Sequence, residues 1–139
     1  TQDALQDGWM HTGDAAYMDA DGYVFIQDRI KDMIITGGEN VYPAQVESAI
    51  YGHPAVAEVA VIGVPDDHWG EAVKACVVAK PGEDVDPQAI IAWTRERLAG
   101  FKVPKSIDVI PALPRNQSGK ILRRELRAPY WEGRERQVN

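Results

Sequence analysis

A chain of 139 residues, 45% hydrophobic and 26% charged, has room for one ordinary domain with one sizeable core and excludes a second full catalytic domain. Twelve glycines and nine prolines exclude a collagen-like or broadly disordered chain, and no apolar run approaches the roughly 20 residues of a membrane-spanning helix. The single cysteine, Cys76, excludes an intramolecular disulfide framework and a cysteine-based zinc cage, and fits a reducing, cytoplasmic compartment.

The net charge of −6 averages two unlike parts. Residues 1–100 carry 17 acidic and 6 basic side chains, whereas residues 101–139 carry 4 and 9. A basic end on an acidic body points to an anionic partner. Nucleic acid fits poorly, because Lys102, Lys105, Arg115, Lys120, Arg123, Arg124 and Arg127 are dispersed and the acidic body would repel a phosphate backbone. A solvated charged helix accounts for Arg123, Arg124 and Arg127 but not for Lys120 beside Gly119, and a small phosphate-bearing ligand fits better.

In chain order, residues 14–29 read as a hairpin around Asp19-Ala20-Asp21-Gly22, whose Asp-Gly step suits a tight turn. Met33-Ile34-Ile35 is a short strand entering Thr36-Gly37-Gly38. Pro43 opens a helix at its first position, with Val46, Ala49 and Ile50 on its apolar face and Gly52-His53-Pro54 as its stop. Val56–Val64 and Val73–Ala79 are strands separated by a polar loop that holds Trp69. Asp86 and Pro87 cap a helix that runs to Leu98, Ile107–Ile110 is a third strand, and Ile121–Arg127 a last short helix. The expected fold is α+β: a small three-stranded sheet covered on one face by two helices, preceded by a β-hairpin and hinge. The chain opens at Thr1 inside a motif, which reads as a segment of something longer.

Three glycine-bearing loops are candidates for chemistry: Thr12-Gly13-Asp14, Thr36 to Asn40, and Pro114 to Lys120. Glycine permits close approach of backbone to ligand, and successive N–H groups can bind an anion; each loop taken alone also reads as an ordinary turn. The third is no P-loop, since the preceding glycine is missing and Ile121 follows the lysine. It offers a mobile lysine on a flexible loop, a point charge for a phosphate or carboxylate. His11, His53 and His68 have no ligand spacing, so no metal site is expected, and Cys76 reads as a buried hydrophobe.

Together the ordered segments Thr12-Gly13-Asp14, Gly22-Tyr23, Asp28-Arg29-Ile30-Lys31-Asp32, Gly37-Gly38-Glu39-Asn40-Val41-Tyr42-Pro43 and Pro114–Lys120 resemble the C-terminal portion of the adenylate-forming superfamily, and the fatty-acid and aryl-CoA ligase branch in particular. The resemblance implies an AMP-forming acid–thiol ligase that uses ATP, Mg2+ and coenzyme A on a carboxylic acid. It divides the chain into residues 1–30, the edge of a large N-terminal domain, and residues 31–139, a mobile C-terminal domain. It implies that Asp14 and Arg29 bind the nucleotide ribose, that Lys31 is the hinge, and that Lys120 is the catalytic lysine of adenylation. Gly37, Gly38 and Glu39 would line the pantetheine channel, and Trp69 and Phe101 match positions that hold the CoA adenine in some relatives.

The Mg2+ ligand, the acyl pocket and the main phosphate loop would lie on the large domain, leaving this segment inactive alone. Two other functions compete: a non-catalytic module that binds CoA or a partner, and an acyl-AMP ligase that loads a carrier protein. The same family reading leaves room for membrane association of the longer protein.

Overall fold

Apolar alternation and turn chemistry place most elements where the sequence predicts them. The computed structural model describes residues 12–134 together with two short upstream strands, β1 (Leu5–Gln6) and β2 (Trp9–Met10), paired antiparallel. Next comes the predicted hairpin, β3 (Asp14–Met18) against β4 (Val24–Arg29), with a bulge between Ala15 and Ala16. Asp19 closes its turn: one carboxylate oxygen accepts the N–H groups of Asp21 and Tyr23, both at 3.0 Å. A single 3-10 turn, residues 30–32, then leads into the main sheet.

That sheet has five strands: β5 (Ile34–Thr36), β6 (Glu39–Val41), β7 (Val56–Asp66), β8 (Gly70–Ala79) and β9 (Ser106–Val109). The three strands expected from the apolar runs lie side by side, β7 antiparallel and β9 parallel to β8. The short β5–β6 hairpin extends the sheet by pairing Thr36 with Gly70, so the order runs β6-β5-β8-β7, with β9 sharing the β5 side of β8.

Helices α1 (Pro43–Tyr51) and α2 (Pro87–Arg95) cover one face. Val46, Ile50 and Ile90 pack there on Val59, Val61, Val73, Ala75 and Val77. Pro43 occupies the first helical position of α1, and Asp86 caps α2 by accepting the Gln88 N–H at 3.1 Å. These are the two helices expected on one face; the other face is covered as well. Ala60, Ile62 and Cys76 point the other way and are buried by Leu113, Ile110, Ile121 and Leu126, the last on a third helix, α3 (Arg123–Trp131). The cause is visible in the strands: Val59-Ala60-Val61-Ile62 is apolar at both parities, the pattern of a strand buried on both faces.

Helix α3 starts later than predicted, because Ile121 is taken by an isolated bridge to Arg115, and it runs on to Trp131. Its far end folds back: Trp131 Nε1 donates to the Gly63 carbonyl at 2.9 Å and the Tyr130 hydroxyl to Asp108 at 2.8 Å. Asp108 also meets the largely buried Lys74 at 3.0 Å. Partial burial pushes the Asp108 carboxyl up, but the Tyr130 and Lys74 bonds outweigh it and hold it below the usual carboxylate range.

Candidate functional site

Asp14 and Arg29 are cross-strand partners at the open end of the β3–β4 hairpin. The Arg29 Nε lies 3.2 Å from one Asp14 oxygen, and the arginine also donates to the Thr12 carbonyl at 3.2 Å. Gly13, at φ +77°, lets the chain turn so that its carbonyl accepts the Ile30 N–H at 2.8 Å. The pair thus presents a carboxylate acceptor and a guanidinium donor side by side, a combination suited to vicinal hydroxyls and a nearby phosphate.

The Lys120 segment is not the flexible loop expected from its glycine and polar residues. It is a closed hairpin. The Asn116 N–H donates to the Lys120 carbonyl at 3.0 Å, and the Asn116 side-chain oxygen accepts three donors: the N–H groups of Ser118 and Lys120, at 3.0 and 2.9 Å, and the Ser118 hydroxyl at 2.7 Å. Arg115 donates to the Gly119 carbonyl at 2.7 Å and pairs with Glu58 on β7, fixing the hairpin beside the free edge of that strand. The Lys120 side chain is left to move. It is exposed, and no hydrogen bond or ion pair engages it among the described residues.

Gly37 and Gly38 form the two-residue turn between β5 and β6, both at positive φ (58° and 82°), as a hairpin turn with Thr36 opposite Glu39 requires. A Cβ on Gly37 would stand 2.7 Å from the Trp69 ring, so glycine here is what lets the indole lie on the turn. Gly38 has nothing of this chain within 4 Å of the same position and faces outward, as do Glu39 and Asn40.

Trp69 is held from behind. Its carbonyl accepts the Gly37 N–H at 2.8 Å, and one oxygen of Asp66 accepts the N–H groups of His68 and Trp69, both at 2.8 Å. Those two donors, Trp69 first, hold the Asp66 carboxyl below the usual range. The Lys105 ammonium sits 5.1 Å from the Trp69 ring centre. Phe101, in a 3-10 turn over residues 100–102, lies beside β6, and Lys102 near its ring is tied to Gln45 at 2.9 Å. Both aromatics remain about 40% exposed, Trp69 at 43% and Phe101 at 42%. The structure therefore brings Trp69 to the glycine turn and places Phe101 on the β6 side of it, while Lys120 stands at the opposite edge of the sheet.

Lys31 lies in the 3-10 turn that joins the first hairpin to the sheet. Next to it, Asp32 accepts from Arg127 at 2.9 Å, and Arg123 clasps Glu47 through Nε and Nη2 at 2.6–3.1 Å. Burial works against the Arg123 charge, but Glu47, Asp32 and Asp28 outweigh it and raise its pKa. These contacts sharpen the charge argument. Arg115, Arg123, Arg127 and Arg134 face acidic residues of the body, so much of the basic excess near the end of the chain is spent internally. Sequence reasoning missed these partners, which lie 57 to 95 residues apart for the first three and follow no local period.

Other candidates stay structural. Cys76 is buried, and burial first, then the Asp108 charge, pushes its thiol up to about 11. His53 accepts the Ala55 N–H and meets Trp93 edge-on, His68 stacks edge-on with Trp69, and His11 lies outside the described residues. Among the described residues no three His, Cys, Asp or Glu side chains are grouped so that they could hold a metal ion. No helix among them is long and apolar enough to cross a membrane.

Residues 45–120, more than half of the chain, match the family model of the AMP-binding enzyme C-terminal domain, and the chain belongs to that family. It is 55% identical over all 139 residues to a fatty acid–[acyl-carrier-protein] ligase, ScoC, of Streptomyces coeruleorubidus, and 55% identical over 130 residues (94% of the chain) to a feruloyl-CoA synthase of an Amycolatopsis species. It superposes on ATP-bound MatB from Rhodopseudomonas palustris with a TM-score of 0.86 and 42% identity over 94% of the chain. The chain spans about a quarter of each: 27% of ScoC, 26% of the feruloyl-CoA synthase and 26% of MatB.

Proposed function

We propose that this chain is the C-terminal part of an ATP-dependent ligase that converts a fatty or related carboxylic acid to its CoA thioester through an acyl-AMP. The observation that carries the proposal is the separation of the two candidate loops. Lys120 and the Gly37-Gly38 turn occupy opposite edges of one rigid sheet, so a single orientation of this domain cannot bring both to one reaction centre. Two successive steps with a rotation at Lys31 between them can.

In the first step the carboxylate oxygen attacks the α-phosphorus of ATP and pyrophosphate leaves. Asp14 and Arg29 hold the ribose, and the Lys120 ammonium bridges carboxylate and α-phosphate where negative charge accumulates. In the second, the CoA sulfur attacks the acyl carbonyl, AMP departs and the thiol proton is lost to solvent. The Gly37-Gly38-Glu39 turn lines the path of the pantetheine arm, while Trp69 and Phe101, each with a lysine near its ring, offer stacking surfaces for the adenine.

The same reading assigns residues 1–30 to the edge of a large N-terminal domain. Tyr17, Met18, Tyr23, Val24 and Ile26 of the first hairpin are each more than 50% exposed, on both faces of a two-stranded ribbon that is marginal by itself. Burial against the rest of a longer chain accounts for them. The purified 139-residue chain is accordingly expected to form no acyl-CoA, and measurable product would contradict the assignment.

In the full-length ligase, Lys120→Ala should slow acyl-adenylate formation roughly 10²- to 10³-fold and spare thioester formation from supplied acyl-AMP. Equal loss of both steps would remove the role given to Lys120. A second acceptor is favoured by one observation, the relative ScoC, whose name gives an acyl carrier protein. Competition between CoA and a pantetheinylated carrier protein for the same acyl-AMP decides between the two.

A further inference from the structure

We propose that Asp28 is a positioning residue that latches the domain in its adenylate-forming orientation, an inference that rests on the two-step reading above. Asp28 lies on β4, before the hinge turn, opposite Ala15 in the first hairpin. Its two oxygens serve opposite sides of that turn. One accepts the N–H of the adjacent Arg29 at 2.8 Å; the other reaches across to the N–H of Ala44, in the first turn of α1, also at 2.8 Å.

Helix α1 depends on this reach. Its N-cap residue, Tyr42, makes no side-chain capping bond, and Pro43 has no N–H to satisfy. The Ala44 N–H is therefore an unpaired helix-start donor that the helix's own sequence leaves open, and a carboxylate there also complements the positive end of the helix. The Arg123 guanidinium, which is clasped by Glu47 and faces Asp32, adds a cation on the same side of the hinge and is within electrostatic reach of Asp28. A carboxylate from one side of the hinge is thus bonded to a helix N–H on the other, with a cation nearby.

The latched arrangement is also the one that suits the first step. Arg29 and Lys31 line an open basin of about 800 Å3 together with Ile121 and Leu122, the residues that follow Lys120. The nucleotide arginine and the lysine hairpin therefore border one cavity while the Asp28–Ala44 bond is made. A rotation at Lys31 that withdraws Lys120 carries α1 away from β4 and breaks that bond, so Asp28 weights the balance toward adenylation.

The test uses the full-length ligase and measures each half-reaction separately, pyrophosphate release with carboxylate and ATP, and thioester formation from supplied acyl-AMP with CoA. Loss of a cap is expected to slow adenylation in Asp28→Ala by about 2- to 30-fold and leave thioester formation unchanged or faster. Asp28→Asn, which keeps an acceptor oxygen, should recover part of the loss. Equal slowing of both steps, or none in adenylation, would overturn the latch.

Lys120→Ala run alongside separates the two levels: if it leaves adenylation intact the two-step reading itself fails, and if it abolishes adenylation while Asp28→Ala has no effect only the latch fails. Should Asp28→Ala not fold, amide exchange in the unmodified protein decides. The Ala44 N–H should be protected with ATP and carboxylate and exchange faster with AMP and CoA, and identical exchange in the two conditions would refute the latch.

Discussion

The two edges of the sheet hold their loops with the same device built from different atoms. At the lysine edge, the side-chain oxygen of Asn116 accepts N–H groups two and four residues ahead and so closes the turn that presents Lys120. At the glycine edge, the side-chain oxygen of Asp66 accepts N–H groups two and three residues ahead and so presents Trp69 to Gly37. One holder is a neutral amide and the other a carboxylate. The lysine turn also leans on a strand through Arg115 and Glu58, whereas the glycine turn leans on an aromatic ring. In the proposed mechanism the cross-braced loop is the one that places a charge at the reacting phosphorus, and the small, smooth loop is the one that lets a long arm pass. Fixed placement is what electrostatic stabilisation demands, because a donor that has to reorganise stabilises less.

The largest expected break in this comparison is at Gly38, which faces open space. Gly38→Leu in the full-length ligase should slow thioester formation by about 10²-fold and leave adenylation near the unmodified rate, as read from the two half-reactions. A smaller change is expected at Gly37, where an added Cβ would meet Trp69 at 2.7 Å on a residue at φ +58°. Gly37→Ala should destabilise the chain by about 1–3 kcal/mol and shift the Trp69 emission; an unchanged melt would mean the indole does not rest on the turn.

Acid should separate the edges without any substitution. The Asp66 pKa is lowered in the folded chain from its ordinary 3.8, so its contribution is fully present above that value and is lost as pH falls through the lowered one. In that acid window the His68 and Trp69 N–H groups lose a charged acceptor, whereas the Lys120 N–H keeps its neutral amide acceptor and is exposed only to weakening of the Arg115–Glu58 brace; His68 and Trp69 should therefore lose protection first, and amide exchange residue by residue checks this. The smallest effect is expected at Cys76, whose thiol is buried and raised to about 11. A thiol reagent at neutral pH should leave it unlabelled until the chain unfolds.

Much of this is legible in the amino-acid sequence. Asp19-Ala20-Asp21-Gly22, Gly37-Gly38, Pro43 and Asp86 are local signals, read from residues that sit beside the turn or helix start they dictate. The motif order showed where the family's site residues should lie. What stayed hidden depends on long-range partners. Nothing near Asp28 in sequence reveals that it serves a helix 16 residues on, and nothing near Asn116 shows that its loop is closed rather than flexible. Burial of the second sheet face was half legible: the unbroken apolar run from Val59 to Ile62 announced it, but α3 is too polar to look like the cover. The basic end misled for the same reason, since Glu47, Asp32 and Glu58 absorb charges that looked available for phosphates.

The central claim is that one sheet serves two steps from opposite edges, and a crossed measurement tests it most directly. Both half-reactions would be timed in the full-length ligase carrying Lys120→Ala or Gly38→Leu. The account predicts a crossed pattern, with Lys120→Ala losing adenylation and keeping thioester formation and Gly38→Leu doing the reverse. If both variants slow the same half-reaction, or each slows both steps equally, the two edges do not divide the chemistry.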